Sequence, residues 1–361
     1  MSKDIPGLIP AFHRLRETGS SAVLCTIVET AGSTYRKAGA RMIIDGEGNY
    51  HGILGGGCFE GDLVERATGV LADGQASIVE YDMRGDDDLV WGLGLGCNGL
   101  VRLLLQPLCK DQGYQPLAFM CQAVEDFRPA VIATGIDGEL RGCSLALDAE
   151  GSHELGLSPG KVQGLDEACR RLLDGGHPEG FDAGPAGRLF IDVIPRQPHL
   201  LIIGAGPDAV PMARTAVALH WRVTVADHRE HNPGRGFFPD EVRQVGCQPD
   251  ELASSVELGT VSASLVMSHN FVADTGFLKS LAGSPSAYVG LLGPTARRDA
   301  LLEELTEEQR AALDGRIRGP VGLDIGGDSP ASIALATIAE IHAFLEDADA
   351  VSLDGRESRA A

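Results

Sequence analysis

Residues 199–209 read His199-Leu-Leu-Ile-Ile203-Gly204-Ala205-Gly206-Pro207-Asp208-Ala209, and twelve positions later comes Trp221-Arg-Val-Thr-Val-Ala226-Asp227. Leu200–Ile203 is a wholly apolar run, the pattern of a strand buried on both faces of a parallel sheet. The glycine turn leads into a helical pattern of Val210, Ala213, Ala216, Val217 and Leu219, and a second strand ends on the acidic Asp227. Strand, glycine-rich turn, helix, strand and acid within about 30 residues make the dinucleotide-binding βαβ unit. In such a unit Gly204 permits the tight turn and Gly206 lets backbone approach a pyrophosphate. Ala209 lets the helix pack closely, and Asp227 accepts from ribose hydroxyls.

Outward from this unit, Ala263–Met267 and Ala287–Leu292 are further short apolar runs with helical segments between them. Ser329 as N-cap and Pro330 at the first helical position open a last helix carrying Ile333, Leu335, Ile338, Ile341 and Leu345. Residues 197–347 are therefore expected to form a Rossmann-like parallel-sheet domain, followed by a polar tail at 348–361. Residues 1–196 read differently, as a mixed α+β domain. Leu8–Leu15 suggests a helix, Ala22–Val28 and Arg41–Ile44 strands, and Tyr50–Leu54 the return of a hairpin through the Asp45–Gly48 turn. Phe59–Leu71 reads as a helix, and Ser77–Tyr81 and Gly187–Ile194 as strands. The hairpin of Ala130–Thr134 and Gly142–Leu147 echoes the first one, by duplication or by shared β-turn chemistry. The expected fold class is α/β, an N-terminal α+β domain followed by a Rossmann-like one.

Composition narrows the functions. The 361 residues carry 51 Asp+Glu against 30 Lys+Arg, a net charge of −21, which disfavours nucleic acid and anionic membrane as partners. Eight dispersed cysteines without a CxxC pair read as reduced thiols, and the opening residues resemble no secretory leader, so a cytoplasmic protein is expected. Glycine is abundant, 47 residues, about twice the average usage of about 7%.

The glycines cluster at 52–61, 92–99 and 204–206, and three further motifs lie in residues 1–196. Ser33, Thr34, Arg36, Lys37 and Arg41 lie in Gly32-Ser-Thr-Tyr-Arg-Lys-Ala-Gly-Ala-Arg41, a segment with three cations and no acid. Hydroxyls, backbone amides and guanidinium forks in one loop suit phosphate recognition, although arginines paired to nearby acids would look the same. Gly55-Gly56-Gly57-Cys58-Phe59-Glu60 sets Cys58 near a helix start, a place that lowers a thiol pKa and favours a thiolate or soft-metal ligand, while a buried inert cysteine is the commoner fate. Asp86-Asp-Asp-Leu-Val-Trp-Gly-Leu-Gly-Leu-Gly96-Cys97-Asn98-Gly99 repeats the theme of glycines before a cysteine, behind an acidic run that is either a solvated face or a divalent-ion site.

Together these stretches resemble the XdhC/CoxI family of accessory factors for xanthine dehydrogenase and other molybdenum hydroxylases. The resemblance is carried by GSTYRKAGARM (32–42), GILGGGCFEGD (52–62), DDDLVWGLGLGCNG (86–99), LLIIGAGPDAVPMA (200–213) with TVADHR (224–229), YVGLLGPTARR (288–298) and PVGLDIGGDSPASIALATIAEI (320–341). Asn98 and Ser268-His269-Asn270 depart from the usual family pattern. The resemblance implies a homodimeric carrier that binds molybdenum cofactor (molybdopterin, in mono- or dinucleotide form), protects it while a cysteine desulfurase supplies sulfur, and delivers it to a hydroxylase such as xanthine dehydrogenase. On this reading Ser33, Thr34, Arg36, Lys37 and Arg41 hold the anionic end, Gly55, Gly56, Gly57, Glu60 and Gly96 line the flat part, and Cys58 and Cys97 approach molybdenum. Gly204, Gly206 and Asp227 take NAD(P), another nucleotide, or the nucleotide part of the cofactor. Two other readings compete. One is an NAD(P)-dependent oxidoreductase, for which His269 followed by Asp274 is the acid/base candidate, since the chain has only five lysines and one of them, Lys279, after residue 161. The other is a nucleotide-sensing scaffold.

Overall fold

The computed structural model describes residues 4–57, 59–84, 99–229, 234, 236–352 and 354. The chain divides into two compact units, Met1–Arg196 and Gln197–Ala361.

The first unit is one arrangement used twice. Its first half runs α1 (Ile5–Thr18), β1 (Ala22–Gly32), β2 (Arg41–Asp45), β3 (Tyr50–His51), α2 (Glu60–Asp73), β4 (Ser77–Asp82) and β5 (Gly99–Leu108). Its second half runs α3 (Leu117–Glu125), β6 (Ala130–Gly135), β7 (Ser144–Asp148), β8 (Gly151–Leu155), α4 (Leu165–Leu173), β9 (Glu179–Asp182) and β10 (Arg188–Ile194). Both five-stranded sheets are antiparallel, with orders β3-β2-β1-β5-β4 and β8-β7-β6-β10-β9. The registers superimpose as well. Thr26 faces Arg41 where Thr134 faces Ser144, and Leu24 faces Gln106 where Ile132 faces Asp192. The unit is thus a repeated topology, but the hairpin of 130–147 corresponds to β1–β2, and the hairpin of 41–54 corresponds to β7–β8, so the two hairpins compared in the sequence are offset by one strand.

Alternation along β1 explains its unbroken apolar run. Leu24 joins Ile43, Ile132 and Ala146 in a core with Leu8 and Phe12 of α1 and Leu117 and Met120 of α3. Val23, Cys25 and Ile27 face the other way, onto Leu63, Ala67 and Val70 of α2. In the second half α4 covers the corresponding face, with Leu165, Cys169 and Leu172 against Val131, Leu145 and Ile191. Burial pushes the Cys169 thiol up to about 12 and raises Cys25 and Cys121 as well, so these cysteines are inert packing groups. All six described cysteines are free thiols. The hairpin return is shorter than its sequence suggests. It stops at His51 because Gly52 turns away with φ +99°, where a β-carbon would stand 2.7 Å from the Arg41 carbonyl oxygen.

The second unit is a six-stranded parallel sheet: β11 (His199–Ile203), α5 (Ala209–Ala218), β12 (Arg222–Asp227), β13 (Arg243–Gly246), β14 (Ala263–Val266), α6 (Phe271–Ala282), β15 (Tyr288–Leu291), α7 (Thr295–Glu303), α8 (Glu307–Leu313), β16 (Ile317–Arg318) and α9 (Pro330–Leu345). Its order is β13-β12-β11-β14-β15-β16, so the topological switch point lies between β11 and β14. Helices α5 and α9 cover one face and α6, α7 and α8 the other. Ser329 caps α9 by accepting from the Ser332 amide at 3.2 Å. Among the described residues no helix is long and apolar enough to cross a membrane.

His199 makes this unit pH-sensitive. It is 2% exposed, with Nδ1 at 2.9 Å from Thr260 Oγ1 and Nε2 at 2.9 Å from Thr224 Oγ1. Burial, helped by Arg222 and Arg243, pushes it down to about 4. An unfolded histidine titrates near about 6.5, so the unfolded chain takes up the proton first and stability falls as pH drops from about 6.5 to about 4. The loss expected over that window is about 3 kcal/mol. Urea unfolding of the second unit at stepped pH should show it, and His199→Asn should flatten this part of the profile. An unchanged slope in the variant would assign the effect to other groups.

Candidate functional site

In the first unit the sequence motifs converge. Tyr35 is 60% exposed, and its ring lies 3.5 Å from where a β-carbon on Gly56 would be. Gly99, the end of the third motif, fits so closely beneath the first loop that a β-carbon there would meet the Ser33 carbonyl oxygen at 2.5 Å and Thr34 Cγ2 at 2.7 Å. Thr34 holds the loop's turn, its hydroxyl donating to the Arg36 carbonyl at 2.9 Å. Ser33, Tyr35 and Lys37 are exposed, as are Gly56 and Gly57. Arg36 is at the surface and donates to Asp4, whose other oxygen accepts from the Arg41 amide at 3.2 Å. The result is an exposed aromatic ring beside a glycine loop, flanked by Lys37 and by a surface Arg36 that is paired with Asp4, the arginine–acid pairing that the sequence left open.

Two residues expected to face a ligand face inward instead. Arg41 is 2% exposed. Its Nη1 donates to Asp192 Oδ2 at 2.5 Å and to the Gly39 carbonyl at 3.1 Å, so its charge is spent inside the unit. Glu60, 3% exposed, accepts through Oε1 from the amides of Leu54 (3.2 Å) and Gly55 (2.7 Å), and through Oε2 from those of Gly57 (2.9 Å) and Phe59 (3.3 Å). The Gly55 and Gly57 amides, in glycines expected to line the flat part of a ligand, are already taken up by this carboxylate. Glu60 shapes the loop and does not line a pocket. Cys58, Gly96, Cys97 and the Asp86–Asp88 run lie outside the described residues. Among the described residues no group of three His, Cys, Asp or Glu side chains is placed to hold a metal.

In the second unit the glycine turn sits at the switch point. Gly204 has φ +120°, and a β-carbon there would stand 2.6 Å from the Met267 carbonyl oxygen at the end of β14, so the close approach of β11 and β14 demands glycine. Asp227 is 1% exposed and does not project toward a ribose site. It accepts from the Ala205 amide at 2.6 Å and from the Arg229 amide, Nε and Nη2 at 2.8, 2.9 and 2.7 Å. Burial works to raise its pKa, but the Arg229 guanidinium and these amides outweigh it and hold the carboxyl below its usual range.

Sequence reading missed Asp208. Its carboxylate folds back over Gly206, close to where a β-carbon would go, and pairs with His269 Nε2 at 2.7 Å. That pair spans the crevice between the β11 and β14 ends, and His269 adopts φ +60° to reach it. Asp274 takes no part with His269. It is buried, accepting from the Ser268 hydroxyl at 2.5 Å and from Arg297 at 2.8 Å. The signal for Asp208 was available in the sequence, since an acid stands where a helix N-terminus should face phosphate.

An α/β protein with a parallel-sheet second unit and a cation-flanked glycine-loop cluster in its first is the class these features define. The chain belongs to the XdhC/CoxI family: the profile for the XdhC Rossmann domain matches residues 200–341 and that for the XdhC and CoxI family residues 15–82. A Bacillus subtilis protein named as a probable xanthine dehydrogenase component is 30% identical over 327 residues, 91% of this chain and 94% of the relative. The Escherichia coli molybdenum cofactor insertion chaperone PaoD is 23% identical over 90% of this chain and 83% of its own. A crystal structure described as a xanthine dehydrogenase from Bacillus halodurans aligns with TM-score 0.77 and 26% identity, covering 100% of this chain and 98% of that one.

Proposed function

We propose that this protein is an accessory factor that holds molybdenum cofactor for a xanthine dehydrogenase-type hydroxylase, shelters it while a cysteine desulfurase provides sulfur for its terminal ligand, and hands it on. The names of the relatives support the coarse role. The observation that carries it to residues is the exposed Tyr35 ring against Gly56, with Arg36 and Lys37 beside it in a chain of charge −21. A flat pterin stacks on such a ring, and the terminal phosphate meets the cations and the Ser33 hydroxyl. Cys58 and Cys97 remain the proposed thiolates near molybdenum. Arg41 and Glu60 act behind this surface, as supports. Anaerobic gel filtration with added cofactor tests the reading: wild type should co-elute with cofactor, and Arg36→Ala and Tyr35→Ala should each weaken retention about tenfold, the loss of about 1.4 kcal/mol. A folded wild type that retains none would overturn the function, and full retention by both variants would overturn the placement.

Asp208 bears on the oxidoreductase alternative. A carboxylate lying over Gly206 repels a pyrophosphate at the place where the βαβ unit would bind it. The wild type should therefore bind NADPH weakly and turn over no carbonyl substrate with it, while Asp208→Ser should raise NADPH affinity about tenfold in a fluorescence titration, about 1.4 kcal/mol. Tight binding or turnover by the wild type would restore the enzyme reading.

A further inference from the structure

The repeat in the first unit puts a buried ion pair at one locus and buried, uncharged side chains with a cavity alongside at its counterpart. At the first, Arg41 of β2 and Asp192 of β10 form a buried pair beside Gly39. At the second, the equivalent positions are Ser144 and Gln106, beside Gly142. Ser144 is a small side chain satisfied locally, 3.0 Å from Thr134 Oγ1, and Gln106 Nε2 donates to the Gly142 carbonyl at 3.1 Å. Where the first locus is plugged by a guanidinium and a carboxylate, the second has a cavity of about 480 Å³ alongside Gln106, Gly142 and Cys143.

We propose that this cavity is a small-molecule site for an uncharged, planar fused-ring heterocycle with a lactam edge, the chemistry shared by an oxopurine and a pterin ring. Its volume is that of a ligand pocket. Gly74, Ala76, Pro107, Pro116 and Gly156 make low, flat walls, which suit a ring and offer a branched ligand little to grip. Four glutamines line it, Gln75, Gln106, Gln112 and Gln115. Gln115 Oε1 accepts from the Phe119 amide at 3.2 Å and Gln106 Nε2 donates to Gly142, so Gln75 and Gln112 present both a carbonyl acceptor and an N–H donor in one plane, matching the alternating N–H and C=O groups of a lactam. Arg141 and Glu154 also line the cavity and balance in charge, so it has no excess of either sign to favour a phosphate or an ammonium ligand. The cavity shares no residue with the Tyr35–Lys37 surface, and the proposal stands whether or not that surface holds a cofactor.

Cys143 gives a direct readout, as a half-buried thiol in the cavity wall. The full-length protein is titrated calorimetrically with xanthine, with pterin, and with benzimidazole, a fused ring lacking the lactam. In parallel, iodoacetamide labelling of Cys143 is followed by peptide mass spectrometry, with Cys109, which does not line the cavity, as internal reference. Xanthine or pterin should bind and slow labelling at Cys143 while Cys109 is unchanged, and which of the two binds identifies the source as a free purine or a pterin. Gln75→Leu with Gln112→Leu should weaken that binding about tenfold. No heat and no protection with either lactam, equal binding of benzimidazole, or full affinity in the double variant would each overturn the proposal. Circular dichroism of the double variant, matching wild type, excludes unfolding as the cause of a loss.

Discussion

Asp192→Ala should destabilise the first unit by about 3–5 kcal/mol, one of the largest effects available from a single side chain here. Asp192 is fully buried and Arg41 is 2% exposed, so removing the carboxylate takes an anionic partner from a guanidinium held in the interior. Two charges that deep have lost their hydration, and their attraction only offsets that cost while both are present. Gly39 adds a steric constraint. A β-carbon there would stand 3.1 Å from Asp192 Oδ1 in a backbone with φ +95°, so the loop has been fitted to the carboxylate. Replacing both partners with apolar groups, Arg41→Met with Asp192→Leu, should recover most of the loss, because neither buried charge then remains. Urea unfolding monitored on the first unit measures both. If Asp192→Ala costs less than about 1 kcal/mol, the range of a surface pair, the guanidinium must reach water in the variant and the burial argument fails. Because Arg41 opens β2 directly after the candidate loop, Asp192→Ala should also loosen residues 33–40, and cofactor retention should fall with stability.

How legible this was depends on how far the partners lie apart in sequence. The parallel sheet could be read from Leu200–Ile203 and Val223–Ala226 because burial on both faces leaves continuous apolar runs, and the start of α9 from Ser329 and Pro330 because capping is local chemistry. β5 was not read, since its Gly99 start follows a glycine-rich stretch whose alternation gives no strand pattern, although it is hydrogen-bonded to both β1 and β4. The edge strands β13 and β16, of four and two residues, carry too little period to show. The duplication shows in the sequence only as a likeness between the hairpins of 41–54 and 130–147, which are not equivalent strands, because what repeats is register and topology and not residue type. At the candidate site, residue types mark the loops but not the direction of each side chain. Arg36 and Arg41 are five positions apart and look alike in sequence. One lies at the surface on Asp4, while the other meets an acid 151 residues away that no local pattern announces. Asp227 likewise looks like a ribose ligand until Arg229, two residues later, is seen to hold it.

Glu60→Ala should abolish cofactor retention while leaving most of the fold in place. Its carboxylate accepts from the amides of Leu54, Gly55, Gly57 and Phe59, and so fixes the loop that contains Cys58 at both ends. Each stranded buried amide costs about 1–3 kcal/mol if it stays dry, so the loop will open to water instead of keeping its shape. Opening moves Gly56 away from the Tyr35 ring and removes the platform, an effect no surface cation substitution can produce. Glu60→Gln separates shape from charge. It keeps one carbonyl oxygen able to accept from two of the amides, but turns an N–H₂ toward the other two, so retention should fall about tenfold, some 1.4 kcal/mol, without being lost. Glu60→Asp keeps the charge on a shorter arm and should lie between wild type and Gln. A ligand-contact role for Glu60 against the flat part, with the carboxylate accepting from ring N–H groups, would also weaken retention in Ala and Gln but would leave hydrogen exchange at residues 54–60 unchanged. Anaerobic co-elution across the three variants, with hydrogen exchange at residues 54–60 measured on the same samples, decides between the two roles. The shaping role requires exchange at 54–60 to rise in the same order as retention falls.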